Sequence, residues 1–170
     1  MADAPKINLL GLTRSGMEAY FAELGAKAFH GRNVLKWIHK HGVTDFDAMT
    51  DVPQKLRDQL RVHAEIRVPK IVLSQPADDG TIKWVLELAD GQHIETVYIP
   101  EENRSTICVS SQVGCALDCS FCSTAQQGFN RNLSAAEIIG QVWHATRELG
   151  RPPTNVVLMG MSEPLATLDN

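Results

Sequence analysis

The sequence predicts an α/β fold in three parts: a small N-terminal helical domain over residues 1–68, a β-hairpin segment over 69–104, and the start of an incomplete (βα) partial barrel over 105–170. Apolar residues recur at helical spacing in the first part and alternate in the second. In the third part a long amphipathic segment precedes a short continuous apolar run. All four cysteines lie in one loop of this third part.

Composition and length are those of an ordinary globular protein. Hydrophobic residues make up 44% and charged residues 21% of 170 residues, enough for one domain or a small domain with part of another. No apolar run approaches about eighteen residues, and the N-terminal segment MADAPKINLL lacks the pattern of a signal peptide. We therefore expect a cytoplasmic protein without membrane contact.

Three amphipathic helices are predicted in the first part. The first spans residues 13–24, with Thr13 as N-cap and Gly25 at its end. The second and third span about 31–41 and about 53–64. The residues expected to face the core are Met17, Tyr20, Phe21, Leu24, Val34, Leu35, Trp37, Ile38, Leu56 and Leu60.

The helical part is basic although the formal net charge of the chain is −4. Between residues 26 and 70, nine lysines and arginines stand against five acidic residues. A local basic face can bind a polyanion or be ordinary solvated surface, and the spacing leaves both open. The cations predicted on the outer faces of the second and third helices are Arg32, Lys36, Lys40, Arg57 and Arg61.

Pro69 marks a change from helical to strand periodicity. The dipeptides Asp79-Gly80 and Asp90-Gly91 predict hairpin turns. In TIKWVLEL, apolar residues alternate onto one face of a strand, namely Ile82, Trp84, Leu86 and Leu88.

The next predicted strand, HIETVYIP, contains a single glutamate. Glu95 shares a face with Val97 and Ile99, which we interpret as the apolar side of the strand or its rim. A lone glutamate on a strand is most often a solvated rim residue, and spacing alone assigns it no other role.

The loop CVSSQVGCALDCSFC, residues 108–122, is typical of a site for an inorganic group. Cys115, Cys119 and Cys122 follow a C-x3-C-x2-C spacing that presents three soft thiolates from one short loop. A four-iron cluster held by three cysteines keeps one iron available to a small molecule. Phe121 could stack on a flat ligand and exclude water.

Other uses of these thiols are open on spacing alone. A zinc site could combine the three cysteines with His144, the nearest downstream histidine, although a second C-x2-C pair is missing. Cys119 and Cys122 could form a thioredoxin-like redox pair, which would leave Cys115 without a role. Structural disulfides are disfavoured in a chain without a secretion signal.

The last part reads as strand, loop, helix and strand. The helix begins at a capping box formed by Ser134 and Glu137 and ends near Gly150. The run NVVLMG, residues 155–160, predicts a fully buried parallel strand. This is one βαβ unit of an α/β barrel, with the cysteine loop at the C-terminal end of a strand. The residues predicted to bury this helix are Ile138, Ile139, Val142, Trp143 and Leu149.

The cysteine spacing C-x3-C-x-aromatic-C resembles the cluster motif of radical S-adenosylmethionine (SAM) enzymes. The longer string CVSSQVGCALDCSFCSTAQQGFNRNL, with ETVYIP at 95–100 and GMSEPL at 160–165, resembles the RlmN family of adenine-carbon-2 RNA methyltransferases. The resemblance extends from about residue 7 to the C-terminus. It implies the N-terminal portion of a longer enzyme, with two strands of a six-fold radical SAM partial barrel. It also implies a [4Fe-4S] cluster and SAM as cofactors, ribosomal RNA and transfer RNA as substrates, and an electron donor such as flavodoxin.

The same resemblance implies roles for individual residues. Glu95 corresponds to the proton acceptor, and Cys108 to the cysteine that resolves a protein–RNA adduct by forming a disulfide. The cysteine that carries the methyl group belongs to the rest of the enzyme, so this chain alone is not expected to turn over. Phe121, Ser162 and Glu163 correspond to the SAM site, with Ser162 standing where the family has glycine. The basic stripes would contact RNA.

Two alternatives accompany this interpretation. A related radical SAM enzyme methylates carbon 8 of adenine, although the strings ETVYIP and QQGFNRNL favour carbon 2. A non-catalytic fragment that binds a cluster or zinc is the alternative from a different functional class.

Overall fold

The computed structural model describes residues 5–117, 119–161 and 163. The chain divides into two units, Met1–Arg67 and Val68–Asn170, and has the predicted α/β architecture. Among the described residues, no helix combines the length and apolar character needed to cross a bilayer.

The first unit contains the three predicted helices and two short strands. Along the chain these are β1 (Ile7–Asn8), α1 (Arg14–Glu23), α2 (Ala28–His39), α3 (Gln54–His63) and β2 (Ala64–Glu65). The two strands pair in parallel. Helix α2 begins three residues earlier than predicted, after Lys27, whose side chain makes no capping hydrogen bond.

The helices of this unit pack around a continuous apolar core. Thr13 caps α1, its hydroxyl oxygen accepting from the N–H of Gly16 at 3.1 Å. Helices α1 and α2 come close at Gly31, where a Cβ atom would lie 3.1 Å from the carbonyl oxygen of Met17. The fully buried residues include Leu9, Leu10, Met17, Phe21, Val34, Ile38, Met49 and Leu60.

The second unit is built on a five-stranded sheet. Its elements are β3 (Lys70–Pro76), β4 (Ile82–Glu87), β5 (His93–Pro100), β6 (Ser105–Cys108), β7 (Gln112–Gly114), β8 (Phe129–Asn132), α4 (Ala135–Glu148) and β9 (Asn155–Val157). Strands β3 to β6 form an antiparallel meander, and β9 lies parallel to β6 in the order β3-β4-β5-β6-β9. The predicted segments 69–104 and 105–170 therefore share one sheet. Strands β7 and β8 pair as a separate hairpin.

One face of this sheet is buried and the other is half-exposed. The predicted alternation in β4 is confirmed, because Trp84 and Leu86 are buried with Ile94 and Ile107 in the core beneath α4. Glu95 shares a face of β5 with Val97 and Ile99 as predicted, but of the two interpretations of that face the apolar side is wrong, since that face is the more exposed one. Its neighbours Ile94 and Thr96 are buried on the opposite face, so Glu95 is half-exposed.

Helix α4 begins at the predicted capping box but buries different residues. The hydroxyl of Ser134 accepts from the N–H of Glu137, whose carboxylate accepts from the N–H of Ser134 at 2.8 Å. The buried residues are Ala136, Gly140, Gln141 and Ala145, since small side chains let the helix approach the sheet closely. The five residues predicted to form the buried stripe are each only half-buried: Ile138, Ile139, Val142, Trp143 and Leu149.

Strand β9 also differs from the prediction. The segment NVVLMG was expected to be fully buried, but Val156 is 50% exposed and Met159 is 77% exposed. The reason is topological. Strand β9 pairs with β6 on one side and is the edge strand of the sheet that the described residues form.

Candidate active site

The cysteine loop is closed at its base by the β7–β8 hairpin. Gly114, at the end of β7, has φ of +75°, and a Cβ atom there would lie 1.8 Å from the carbonyl oxygen of Gly128. Cys115 follows immediately, and its N–H donates to the same oxygen at 3.2 Å. Only glycine satisfies both the dihedral angle and the contact, so Gly114 fixes the point at which the loop leaves the sheet.

The three loop cysteines are half-buried free thiols. The N–H of Cys122 donates to the carbonyl of Cys119 at 3.0 Å, and the sulfur of Cys115 accepts from the N–H of Leu117 at 3.5 Å. Hydrogen bonds from the backbone N–H groups of Ala125 and Thr124 lower the pKa of Cys122 and favour its thiolate.

The structure places these three cysteines on one loop, but their sulfurs do not converge on a single metal position. Within residues 5–117, 119–161 and 163, no three His, Cys, Asp or Glu side chains converge on a common metal position. Asp118, between Cys115 and Cys119, lies outside the described residues.

The loop also exposes apolar side chains beside the thiols. Phe121 is 90% exposed, and Leu117 and Phe129 are each close to half-exposed. An aromatic ring this open is accessible to a ligand, and the stacking role of Phe121 stays a prediction.

Arg131 anchors the loop hairpin to the rest of its unit. From β8 it donates two hydrogen bonds to the carboxylate of Glu137, at 2.9 and 2.8 Å, and a third to Asp90 at 2.8 Å. Burial acts to raise the pKa of Glu137, but the hydrogen bonds from Arg131 and Ser134 outweigh it and hold that pKa below its usual range. The sequence did not indicate Arg131, because its partners Glu137 and Asp90 lie 6 and 41 positions away and no spacing pattern links the three residues.

Glu95 and Cys108 lie on the same face of the sheet. Val97 on β5 is paired with Cys108 on β6, and Glu95 is two residues from Val97, so both side chains point to the half-exposed face. Diagonal neighbours of this kind lie roughly 7–8 Å apart. Glu95 Oε1 accepts from Lys83 Nζ at 3.1 Å, a partner that the sequence analysis missed.

Cys108 is a half-buried thiol at the C-terminal end of β6. Burial raises its pKa, and the backbone N–H of Met159 opposes the shift only in part. Cys108 is therefore held protonated at neutral pH, whereas the pKa of Cys122 is shifted in the opposite direction.

The segment after β9 is hydrogen-bonded to the base of the cysteine loop. The N–H of Gly160 donates to the carbonyl of Val109 at 3.2 Å, and the N–H of Ser111 donates to the carbonyl of Met161 at 3.1 Å. The N–H of Glu163 donates to the side-chain oxygen of Gln112 at 3.2 Å. Ser162, predicted to contact SAM, lies outside the described residues.

His144, which a zinc site would require, has another partner. Its Nε2 donates to the backbone carbonyl of Pro69. Burial lowers its pKa, so the ring is neutral at physiological pH. This hydrogen bond explains the position of His144 without a metal.

Three of the predicted basic residues line a cavity of about 520 Å³ in the first unit. Arg32, Lys36 and Lys40 follow one face of α2, and Arg32 pairs with Glu18 at 3.1 Å. Burial lowers the pKa of His39, so this ring adds no charge at neutral pH. The remaining lining residues are Arg14, Leu35 and His39. The sequence analysis missed Arg14, because it lies on a different helix.

The other two predicted cations are engaged within the protein. Arg57 was expected on the exposed side of α3, but its side chain is only 17% exposed. It donates to the carbonyl of Asp47 at 2.7 Å and to Gln54 at 2.6 Å. Arg61 pairs with the carboxylates of Asp47 and Asp58. These contacts hold α3 against the preceding segment, so a structural role explains the presence of both arginines.

Comparison with known proteins agrees with this geometry. Residues 7–66 match the family described as "Ribosomal RNA large subunit methyltransferase N-terminal domain". The chain is 56% identical over 172 residues to the dual-specificity RNA methyltransferase RlmN of Pseudomonas fluorescens (strain SBW25), and 55% identical to that of Francisella tularensis subsp. novicida (strain U112). Both alignments cover 97% of this chain, but 45% and 46% of the relative.

A solved structure shows the same fold. The crystal structure of a radical SAM methyltransferase from Sphaerobacter thermophilus is 40% identical, with a TM-score of 0.86 over 96% of this chain and 49% of that chain. The chain thus spans less than half of the length of these proteins. It belongs to the RlmN family, of which it represents the N-terminal portion.

Proposed function

We propose that this chain is the N-terminal portion of a radical SAM methyltransferase that methylates carbon 2 of adenine in ribosomal RNA and transfer RNA. The observation that carries the proposal is the strand register, which sets Glu95 and Cys108 on one half-exposed sheet face. The cysteine loop begins seven residues beyond Cys108. The sheet face thus carries a carboxylate on β5 and a thiol at the C-terminal end of β6, and the cluster loop follows β6. This arrangement suits acid–base and thiol chemistry on a bound nucleobase.

Cys115, Cys119 and Cys122 would hold a [4Fe-4S] cluster. The donors fit by chemistry, since three half-buried thiols lie on one loop and the pKa of Cys122 is lowered toward the thiolate that iron requires. In such a cluster each cysteine would bind a different iron, so the three sulfurs need not converge on a single metal position. When bound, the cluster supplies an electron that cleaves SAM to a 5′-deoxyadenosyl radical.

The residues of the turn after β9 would bind the amino-acid portion of SAM. The resemblance assigns Ser162 and Glu163 to the amino-acid portion of the cofactor. Phe121, 90% exposed and next to Cys122 in sequence, would cover the ligand and exclude water.

Glu95 would accept the proton from the adenine ring. Its carboxylate is 44% exposed and therefore reachable by a base entering from the open face of the sheet. Lys83 donates to Oε1, and among residues 5–117, 119–161 and 163 no hydrogen bond occupies the other carboxylate oxygen. Cys108 would resolve the protein–RNA adduct through a disulfide with the methyl-carrying cysteine, which is not in this chain.

The basic cavity of the first unit would bind the RNA backbone. Arg14, Arg32, Lys36 and Lys40 line it, and no hydrogen bond or ion pair is recorded for the ammonium groups of Lys36 and Lys40 among the described residues. Two uncompensated ammonium groups beside a cavity suit phosphate. Arg57 and Arg61 already contact Asp47, so we expect them to contribute less to RNA binding. A cytoplasmic location with a flavodoxin-like electron donor completes the proposal.

The test is methyl transfer by a full-length chain containing this sequence. The reconstituted enzyme, SAM with a labelled methyl group and a structured RNA should give labelled 2-methyladenosine after hydrolysis to nucleosides. The Cys108→Ala variant should accumulate a covalent protein–RNA adduct. Label at carbon 8, or no label in an enzyme shown to contain its cluster, would contradict the proposal.

A further inference from the structure

Gln112 is a buried side chain that joins three separate segments. It is 1% exposed, on β7, three residues before Cys115. Its Nε2 donates to Asn132 on β8 at 3.0 Å, and its Oε1 accepts from the N–H of Glu163 at 3.2 Å. Its own N–H donates to the carbonyl of Met161 at 2.9 Å. One residue thus connects both strands that close the cysteine loop to the turn after β9.

A second buried residue supports the same junction. The hydroxyl of Ser110 donates to the carbonyl of Glu95 at 2.7 Å and accepts from the N–H of Met161 at 3.0 Å. The amide of Gln141 holds the backbone of Ser110 by two hydrogen bonds of 2.8 Å. A Cβ atom at Gly160 would lie 2.7 Å from the Ser110 hydroxyl oxygen. The turn is therefore packed tightly against this network.

These contacts are polar, buried and directed. A buried amide is costly unless its hydrogen bonds are made, and apolar side chains would fill the same space without that requirement. What the amide of Gln112 adds is geometry, because it fixes the N–H of Glu163 relative to the strand that leads into Cys115. A satisfied buried network of this kind specifies one arrangement.

We propose that Gln112 is a positioning residue that holds the backbone of Met161 and Glu163 beside the cysteine loop, so that one ligand can contact both segments. This inference rests on the proposed function, in which SAM bridges those two segments. If the two segments were not already in place, SAM binding would have to order them, and this would weaken the affinity for SAM. At metal sites the loss of a hydrogen bond that orients a ligand costs roughly 10- to 100-fold in metal affinity or activity, and we expect an effect of that size on SAM affinity.

Two substitutions separate positioning from support of the fold. Gln112→Met keeps the volume and removes both side-chain hydrogen bonds. Gln112→Glu keeps an acceptor for the N–H of Glu163, and the amide of Asn132 can turn to donate to it. Asn132→Ala is the matched control, since it breaks only the bond to β8.

The measurement is SAM affinity by equilibrium dialysis on the reconstituted full-length protein, with iron content and thermal midpoint recorded alongside. We expect SAM binding to weaken by roughly 10- to 100-fold in Gln112→Met and by less than about threefold in Gln112→Glu and Asn132→Ala, with iron unchanged. If Gln112→Met does not fold, Gln112→Asn, one methylene shorter, should show the same loss.

The outcomes also separate this inference from the proposed function. An unmodified protein that takes up no cluster or binds no SAM contradicts the proposed function. Unmodified protein that binds SAM, with equal affinity in Gln112→Met or Gln112→Asn, contradicts the positioning role alone. Equal loss of iron and of thermal stability in the Met and Glu variants would show that Gln112 only supports the loop.

Discussion

Lys83 and Glu95 form an ion pair of 3.1 Å across neighbouring strands, on the sheet face that also carries Cys108. Both side chains are close to half-exposed, so the pair is screened by solvent and adds little to stability. Its consequence is local, since Lys83 orients one oxygen of Glu95, and within the described part of the chain the other oxygen has no hydrogen-bond donor. A carboxylate held in this way suits a base that accepts a proton from a bound substrate.

Replacing Glu95 with glutamine should therefore lower the methylation rate of the full-length enzyme by roughly 100- to 10,000-fold, the usual contribution of a general base. Cluster content should not change, because Glu95 is not a ligand. Glu87, a carboxylate on the same face of β4, provides the control. A Glu95→Gln enzyme as active as Glu87→Gln would remove Glu95 from the mechanism.

Gly114 and Gly128 allow a matched test of how the cysteine loop closes. Both have positive φ, but only at Gly114 would a Cβ atom collide with backbone, 1.8 Å from the oxygen of Gly128. Gly114→Ala should open the β7–β8 hairpin and abolish iron uptake. At Gly128 an added Cβ atom meets nothing within 4 Å, so Gly128→Ala strains only its own backbone angles, φ 72° and ψ 178°; it should cost roughly 1–3 kcal/mol in the free energy of unfolding while retaining iron. Equal iron content in the two variants would contradict this account.

His144 should make stability depend on pH. Burial lowers its pKa in the folded state below the ordinary value of 6.5, so between these two values the unfolded chain binds more protons. The contribution of His144 to stability is therefore complete above about pH 6.5 and is lost as the pH falls below it. His144→Gln, which can still donate to Pro69, should reduce the fall in unfolding free energy between pH 7 and 5.

Denaturant unfolding at both pH values measures this difference. His93→Gln, the same substitution at an exposed position on β5, is measured alongside as the control. An identical pH dependence in His144→Gln and the unmodified protein would show that the ring titrates as it does in the unfolded chain.

The basic cavity predicts salt-dependent RNA binding. Replacing Arg32, Lys36 and Lys40 with alanine should leave the fold intact, since Val34 and Ile38 supply the buried face of α2. Affinity for a structured RNA should fall, and the slope of log affinity against log salt should flatten by roughly two to three.

Filter binding with the full-length enzyme over a range of salt concentrations measures that slope. Lys27 and Lys55 are exposed cations of the same unit outside the cavity lining, and their replacement provides the control. A slope that the triple substitution leaves unchanged would identify the cavity as ordinary solvated surface.

Local chemistry explains which features the sequence could predict. Thr13, the Ser134–Glu137 capping box and the glycines of the two hairpin turns act through their own backbone neighbours, so their positions follow from spacing. The alternation of Trp84 and Leu86 likewise fixes which face of β4 is buried. The cysteine loop could be located because all its candidate ligands are consecutive.

Tertiary packing explains which features it could not predict. Helix α4 buries Gly140 and Gln141 in place of its larger apolar residues, because the sheet is approached closely and Ser110 and Thr96 need a polar partner. Arg57 is covered because Asp47 lies beside it, which no periodicity in α3 indicates. Each of these depends on residues distant in sequence.

The role of the cysteines is the central claim, and metal analysis tests it most directly. The protein and its four single cysteine-to-alanine variants would be reconstituted anaerobically, then assayed for iron, acid-labile sulfide and zinc. We predict about four irons and four sulfides per chain for the unmodified protein and for Cys108→Ala, and loss of both in Cys115→Ala, Cys119→Ala and Cys122→Ala. One zinc per chain without sulfide, or loss of the cluster in Cys108→Ala while another of the variants retains it, would contradict the account.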